Sequence, residues 1–220
     1  MAIALGSARV RCTGRAEGDL ADPTGEDRSV AARRRSVVDR PWTWLRQIHG
    51  ADVVVVTAPG GEAGRSADAA VTAVPGVALA VVTADCAPLA LASPEGVIGV
   101  AHAGWRGLTA GVIEQTVGAM RALGARTFQA VLGPCIHAEC YAFGRRDLDA
   151  VAARLGDEVR SVTSHGQPAL DIPAAVRRAL ARSGAELTVD VGVCTACSSE
   201  YWSWRARQDV ERQATVVWVP

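Results

Sequence analysis

The chain contains no lysine and no asparagine, so all 23 of its basic residues are arginine. A high arginine count is therefore not by itself a sign of a phosphate site in this protein. Acidic residues also number 23, the formal net charge is zero, and no basic tail or stripe is visible. Because nucleic-acid-binding proteins usually carry such a basic surface, this charge pattern argues against nucleic-acid binding.

Long apolar runs are also missing from the sequence. The run at residues 77–82 is too short to span a bilayer, and the N-terminus lacks the charged start and long apolar stretch of a secretory signal. We therefore expect a cytoplasmic protein without membrane association. In a reducing cytosol, the six cysteines are expected to be thiols, metal ligands or catalytic groups rather than disulfides.

The pattern of apolar residues predicts an α+β fold. At 220 residues and 49% hydrophobic content, the chain can form one sizeable core. Alternating or β-branched runs predict strands at residues 53–56, 69–72, 77–83, 89–92, 97–101, 129–132, 187–193 and 215–219. Three- and four-residue apolar spacing predicts helices at residues 109–123, 147–155 and 173–183.

Strands therefore come first in the chain and helices are inserted later, which indicates a single domain of mixed β-sheets flanked by helices. Tight turns at Pro75-Gly76 and around Pro94-Glu95-Gly96 favour antiparallel pairing of the strands on either side of each turn. Residues 13–40 are polar and only weakly periodic. We therefore divide the chain into a loop-rich N-terminal segment, residues 1–40, and a main domain, residues 41–220.

Candidate metal ligands occur at the ends of predicted strands. Only four histidines are present; His49 and His102 lie where a strand meets a turn, and Cys86 follows an apolar strand. Side chains at strand ends can be directed into one cleft by a rigid sheet. Two imidazoles and a thiolate suit zinc and leave a fourth coordination position open, which is the catalytic arrangement. A buried structural cysteine and two hydrogen-bonded histidines remain the alternative.

Several motifs occur in a fixed order along the chain. They are Arg46-Gln47-Ile48-His49-Gly50, Thr83-Ala84-Asp85-Cys86-Ala87-Pro88, Ala101-His102-Ala103-Gly104-Trp105-Arg106-Gly107, Leu132-Gly133-Pro134-Cys135-Ile136, Cys140-Tyr141 and Cys194-Thr195. Together they resemble the purine nucleoside phosphorylase family typified by bacterial YfiH and the human laccase-domain protein, formerly described as polyphenol oxidases or multicopper laccases. The resemblance covers roughly residues 40–220, and its most specific part is the segment from His102 to Gly107.

The resemblance implies a metal site, an activity and a YfiH-like catalytic domain with mixed sheets between helices. The family's metal ligands fall on His49, Cys86 and His102, with Zn²⁺ as the expected metal and copper as the alternative. The implied reactions are phosphorolysis of adenosine, inosine and methylthioadenosine, together with deamination of adenosine. Asp85 is a candidate acid/base because it adjoins Cys86, although it could instead orient a ligand.

The implied partners are small-molecule nucleosides and phosphate, with the oligomeric state left open. Arg46 and Arg106 flank two expected ligands and are candidates for phosphate binding, because guanidinium groups match phosphate oxygens; solvated or salt-bridged arginines are the alternative. Tyr141, like Trp105 and Trp204, is a candidate for stacking on a purine. Large aromatic side chains more often belong to a core.

Other functions remain open at this stage. A copper-dependent polyphenol oxidase fits poorly, because a blue-copper site usually needs an axial methionine and the chain has two methionines, one of them terminal. A hydrolase that edits peptidoglycan precursors and a non-enzymatic zinc-binding protein are further alternatives. The cysteines at 135, 140, 194 and 197 could form a structural zinc site, but we expect simple thiol packing there.

Overall fold

The computed structural model describes residues 2–22 and 24–220. Within this range, one sheet has six strands in the order β1-β2-β14-β7-β3-β5. These strands are β1 (Ile3–Leu5), β2 (Ala8–Cys12), β14 (Gln213–Trp218), β7 (Ala78–Thr83), β3 (Trp42–Arg46) and β5 (Arg65–Ser66). The strand β3 runs parallel to both of its neighbours, whereas the other pairs are antiparallel, so we call this the first mixed sheet.

A second mixed sheet, again counted over the described residues, has the order β13-β10-β8-β9-β6-β4. Its strands are β13 (Glu186–Asp190), β10 (Gln129–Leu132), β8 (Ala87–Ala92), β9 (Ile98–Ala103), β6 (Ala69–Thr72) and β4 (Val53–Val55). A short antiparallel pair, β11 (Arg160–Val162) and β12 (Pro168–Leu170), lies outside both sheets. Together, the strands confirm the predicted mixed sheets.

The described residues contain six helices in addition to the sheets. They are α1 (Arg28–Val37), α2 (Trp105–Ala110), α3 (Val112–Ala122), α4 (Arg145–Leu155), α5 (Ile172–Ser183) and α6 (Trp204–Arg207). The helices α3, α4 and α5 share a core with one face of the second sheet. None of the helices in the described residues is long and apolar enough to cross a membrane.

Burial on both faces explains the continuous apolar strands of the second sheet. Along β8, Leu89 and Leu91 pack in the helix-covered core, while Ala90 and Ala92 pack in the core between the two sheets. A period-two alternation thus divides one apolar run between two cores. The strands β8 and β9 pair antiparallel as predicted, with Ala87 opposite Ala103.

The expected loop-rich character of residues 1–40 was wrong in part. The strand β2 pairs with β14 in the first sheet, and α1 begins after Asp27, whose carboxylate accepts hydrogen bonds from the backbone N–H groups of Ser29 and Val30. Apolar spacing did not reveal α1 because one position on its buried face is Arg34, which donates to the carbonyl of Leu20.

The expected pairing across the Pro75-Gly76 turn was also wrong. The strand β6 belongs to the second sheet, where it pairs with β4 and β9, whereas β7 belongs to the first sheet. Because both strands are apolar on both faces, each can be an interior strand of a different sheet. The short turn then carries the chain from one sheet to the other. The predicted long helix after Thr109 is likewise divided at Gly111, which adopts a φ of 92°.

Candidate metal centre

Three side chains from separate elements meet at the edge of the two sheets. Ligand atoms of His49, Cys86 and His102 all lie within 4.8 Å of one another. His49 is in the turn after β3, Cys86 is in the turn between β7 and β8, and His102 is in β9. The His49 Nε2 atom is 3.9 Å from the Cys86 sulfur, and the two imidazole rings are edge to face at 4.7 Å. The predicted convergence of this trio is therefore observed.

The turns that carry these side chains have unusual backbone conformations. His49 has a φ of 59° and Asp85, beside Cys86, has a φ of 98°, so both lie in the left-handed region that side chains other than glycine seldom adopt. Gly104 lies against the trio, where a Cβ atom would come 3.0 Å from His49 Cδ2 and 3.1 Å from the Cys86 sulfur. A side chain at this position would therefore push His49 and Cys86 by a few tenths of an ångström, and glycine avoids that displacement.

A buried carboxylate holds two of the three candidate ligands. Asp68 is fully buried and accepts hydrogen bonds from the backbone N–H groups of Ile48, His49 and Gly50 at 3.2, 2.9 and 2.7 Å. It also lies 2.8 Å from Nδ1 of His102. Because Asp68 occupies Nδ1, the Nε2 nitrogen of His102 is the one left for a metal, as in carboxylate–histidine–zinc arrangements.

Sequence reasoning missed Asp68. The available signal was a single acidic residue at the start of an otherwise apolar strand, directly before β6. A carboxylate in such a position is expensive to bury without donors, so it indicates a specific hydrogen-bonding role. No motif drew attention to it, because its partners lie about 20 and 34 residues away in the sequence.

Cys86 and His102 carry opposite charges at neutral pH in the protein without metal. Burial raises the pKa of the Cys86 thiol, but the positive charge and hydrogen bonds of His102 and His49 outweigh it and lower that pKa to about 6. Burial lowers the pKa of His102, whereas Cys86 and Asp68 raise it to about 9. Cys86 is therefore a thiolate beside an imidazolium, and a divalent cation could replace the proton of His102.

The donor set fits zinc. Thiolate sulfur and imidazole nitrogen are its usual protein ligands, and three of them leave one tetrahedral position for substrate or water. The same donors also suit copper, so the identity of the metal does not follow from the ligands alone.

A cavity of about 700 Å³ opens beside the trio. His49, Cys86 and His102 form part of its wall, together with Asp19, Ala21, Asp22, Arg34, Trp44, Leu45, Arg46, Gln47, Ala80, Val82, Thr83, Ala84, Trp204, Val210 and Arg212. The N-terminal segment thus contributes directly to the wall. Thr83 lines the cavity with a buried hydroxyl oxygen that has no hydrogen-bond partner among the described residues.

Two of the predicted substrate contacts are not in this wall. Arg46 lines the cavity, but Arg106 and Tyr141 do not. Arg106 is exposed and stacks on the ring of Trp105 at 4.5 Å. Tyr141 lies under the guanidinium of Arg205 at 4.8 Å, and burial, followed by the negative charge of Cys86, raises its pKa to about 12. Tyr141 is therefore near Cys86 but outside the cavity.

Both carboxylate oxygens of Asp85 already accept hydrogen bonds within the protein. One carboxylate oxygen accepts from the hydroxyl of Thr195 at 2.7 Å, and the other accepts from the backbone N–H of Arg205 at 2.7 Å. These bonds join the turn that carries Cys86 to the start of α6. The geometry favours the orienting role for Asp85 over proton transfer.

The reactivity of Cys86 in metal-free protein tests the ion pair between Cys86 and His102. Because only the thiolate is alkylated, the rate of modification by iodoacetamide should rise with pH to a half-maximum at about 6. His102→Ala should move this midpoint upward, since it removes the neighbouring positive charge. Modification is followed by mass spectrometry of the Cys86 peptide.

Cys197 provides an internal control in the same samples. It is exposed, yet its hydrogen bond with Cys140 raises its pKa to about 12, so it should stay largely unmodified at neutral pH. A midpoint for Cys86 near the ordinary thiol value of about 8.5 would contradict the proposed ion pair.

Comparison with known proteins places the chain in a family. Residues 11–220 match the family described as multi-copper polyphenol oxidoreductase laccase. The chain is 40% identical to the purine nucleoside phosphorylase SCO2081 of Streptomyces coelicolor, covering 94% of this chain and 86% of the relative. It is 34% identical to the purine nucleoside phosphorylase YfiH of Escherichia coli, covering 92% and 83%.

Solved structures agree with this placement. YlmD from Geobacillus stearothermophilus, whose crystal structure is known, shares 28% sequence identity with this chain. The two structures align with a TM-score of 0.79 over 96% of this chain and 91% of that one. For the hypothetical protein YfiH of Bacillus licheniformis, at 22% identity, a TM-score of 0.84 over 97% and 93% of the chains shows the shared fold. By sequence and by fold, this chain belongs to the multi-copper polyphenol oxidoreductase laccase family, which includes the YfiH-type proteins.

Proposed function

We propose that this chain is a zinc-dependent purine nucleoside phosphorylase that cleaves adenosine, inosine and methylthioadenosine and also deaminates adenosine. The observation that carries the proposal is the His49–Cys86–His102 trio in the wall of a cavity of about 700 Å³, within the size range of small-molecule sites. The names of the relatives support the phosphorylase activity. Deamination, the choice of nucleoside and the metal are supported by family resemblance and by the donor chemistry of the trio.

Zinc held by the trio would act as a Lewis acid that polarises a substrate oxygen or nitrogen. His49 and His102 would contribute ring nitrogens, and Cys86 a thiolate that is already formed at neutral pH. Asp68 would keep the ring of His102 in the tautomer and orientation that ligation requires. It would also hold the backbone of the His49 turn in place.

In phosphorolysis, a phosphate oxygen forms a bond to the anomeric carbon of the sugar while the bond from that carbon to the purine nitrogen breaks. The purine leaves with the electron pair and must receive a proton. Arg46 is the candidate to bind phosphate, because it is exposed and lines the cavity next to His49, and a guanidinium can donate two parallel hydrogen bonds to phosphate oxygens. Holding both reactants at bonding distance supplies much of the rate enhancement.

The nucleoside would occupy the apolar part of the cavity. Trp204 lines it and is 53% exposed, so its ring is available to pack against a purine. Trp44, also in the wall, is already stacked with Arg34 at 4.9 Å. The unpartnered Thr83 hydroxyl is the candidate hydrogen-bonding group for the sugar or the base, because a buried hydroxyl gains most from a ligand that completes its bonding.

A copper-dependent phenol oxidase is the competing function, and the description of the matched family favours it. The ligand set is less suitable for that chemistry. A blue-copper site usually adds an axial methionine to two histidines and a cysteine. Met120 is fully buried in the core beneath β9, close to Gly99, and is not part of the trio. The nucleoside phosphorylase therefore explains the observed donors better.

Substitution of the trio tests the site. We expect His49→Ala, Cys86→Ala and His102→Ala each to reduce adenosine cleavage in the presence of phosphate by at least about 100-fold, because each removes a direct metal ligand. Adenine, inosine and sugar phosphate are separated by chromatography, so the assay distinguishes phosphorolysis from deamination. His165→Ala, an exposed histidine outside the trio, is the matched control.

The same panel separates the competing functions. Circular dichroism establishes that each variant is folded. Full activity of any folded trio variant would contradict the site. Turnover of a phenol by copper-loaded protein, or of a peptidoglycan precursor, with no turnover of nucleosides would contradict the proposed reaction.

Replacing Arg46 tests the phosphate contact. Charge-assisted hydrogen bonds contribute about 1.5–3 kcal/mol, so Arg46→Ala should raise the KM for phosphate by roughly 10- to 100-fold with a smaller effect on the KM for the nucleoside. Steady-state kinetics at varied phosphate measure this. Arg146→Ala, at an exposed arginine of α4, is the control.

Arg106→Ala completes the comparison, since Arg106 is the other arginine beside a candidate ligand. If its loss, and not that of Arg46, raises the KM for phosphate, then phosphate binds on the side of Tyr141 and the present assignment of the cavity is wrong.

A further inference from the structure

A second group of metal-ligand atoms lies outside the catalytic trio. It consists of Glu139, Cys140, Cys194 and Cys197, whose ligand atoms all lie within 4.8 Å of one another; we call it the thiol cluster. The Cys140 and Cys197 sulfurs are 3.3 Å apart, and the Cys197 sulfur is 3.8 Å from Glu139 Oε1. We propose that the thiol cluster is a second metal site that binds zinc and has a structural role.

The donor chemistry points to zinc. Three sulfurs and a carboxylate oxygen are soft and borderline donors that zinc accepts, and four protein ligands form the closed set of a structural site. A zinc–sulfur distance of about 2.3 Å in a tetrahedron places the sulfurs about 3.8 Å apart, so only small side-chain movements are needed. On binding, the three thiols would release three protons to solvent, and the resulting charge would be partly neutralised by the metal.

The cluster differs from the set of four cysteines that the sequence spacing suggested. Cys135 is not a member: it is buried in the helix-covered core and forms a backbone bridge with Cys194. Glu139 takes its place as the fourth donor. The spacing of the cysteines alone could not indicate that Glu139 is the fourth donor, because a carboxylate adjoining a cysteine is common on protein surfaces.

A backbone contact supports ligation by Cys194. The N–H group of His137 is directed at the Cys194 sulfur, with a nitrogen–sulfur distance of 3.4 Å. An N–H donor of this kind stabilises a thiolate and orients it, as outer partners do in other metal sites. The cluster is also reachable from solvent, because Glu139 and Cys140 line a small open pocket of about 300 Å³.

The location explains why a metal would be useful. Cys140 belongs to the segment after β10, and Cys194 and Cys197 belong to the segment between β13 and α6. Both segments lack regular secondary structure over most of their length. A shared metal would link the two segments by coordination, in addition to the backbone hydrogen bonds that Cys135 makes with Val193 and Thr195.

Both segments also contact the region around Cys86. Tyr141 directly follows Cys140, and Thr195 directly follows Cys194 and donates its hydroxyl hydrogen bond to Asp85. Arg207 of α6 donates to the carbonyl oxygens of Thr195 and Ala196. Zinc in the thiol cluster would therefore fix the network that holds the Cys86 turn and α6, the helix that carries Trp204.

Zinc stoichiometry tests the proposal without any assay of nucleoside turnover. Protein is reduced, loaded with zinc, freed of excess metal by gel filtration and analysed by atomic emission. A variant with His49→Ala, Cys86→Ala and His102→Ala should retain one zinc per chain, because its thiol cluster is intact. Adding Cys140→Ser and Cys197→Ser should reduce this to none. Adding Cys12→Ser instead, at a cysteine outside the cluster, should leave one.

Cobalt loading gives a second readout that depends on the ligands. The variant with His49→Ala, Cys86→Ala and His102→Ala keeps the three candidate sulfur ligands of the thiol cluster, whereas Cys140→Ser/Cys197→Ser keeps the single thiolate of the trio. Thiolate-to-cobalt absorption in the near ultraviolet should therefore be stronger per metal in the first variant than in the second. Glu139→Gln should weaken zinc binding to the cluster by about 10-fold or more without abolishing it.

Three outcomes would overturn the proposal. The first is a folded trio variant that retains no zinc after gel filtration. The second is a disulfide between Cys140 and Cys197 in protein purified without reductant, seen as a mass lower by two hydrogens that reduction restores, together with no zinc uptake after reduction. Because Cys197 is exposed, Cys197→Ser alone should fold, and unchanged zinc content in that variant on the trio background would count against the cluster.

Discussion

The buried carboxylate of Asp68 is the contact on which the candidate metal centre depends. It accepts three backbone hydrogen bonds from the His49 turn and faces Nδ1 of His102 at 2.8 Å. A fully buried carboxylate is tolerated only when such donors surround it. His102 and the hydrogen bonds of the turn hold the pKa of Asp68 below its ordinary value, although burial alone would raise it. One charge thus orients two of the three candidate ligands.

The fold brings the third ligand to the same place. The chain leaves the first sheet at β7 and enters the second at β8 through the turn that contains Asp85 and Cys86. Positive φ angles at His49 and Asp85 each carry a conformational cost of about 1–3 kcal/mol. The surrounding contacts offset this cost, among them the bonds from Thr195 and Arg205 to Asp85. Strain of this kind is concentrated at functional sites.

Much of the architecture was predictable because it depends on local patterns. The antiparallel pair β8 and β9 and the helix α5 with Pro173 in its first turn follow from apolar runs and turns. The convergence of the trio was implied by the family resemblance, since spacing alone gave only weak support for it. The sequence did not reveal α1, because Arg34 occupies a buried position on that helix. It also did not reveal that β6 and β7 belong to different sheets, because a short turn can connect either a hairpin or two strands of different sheets. Asp68 was missed because its partners are distant in sequence.

The zinc affinity of an Asp68→Asn variant tests the central claim most directly. An asparagine has nearly the same shape but cannot accept all four hydrogen bonds, so His102 and the His49 turn should lose their fixed positions. Measured by competition with a chromophoric chelator, in a Cys140→Ser/Cys197→Ser background that isolates the trio, the affinity should fall by about 10- to 100-fold. An affinity equal to that of the same background with Asp68 intact would contradict the account.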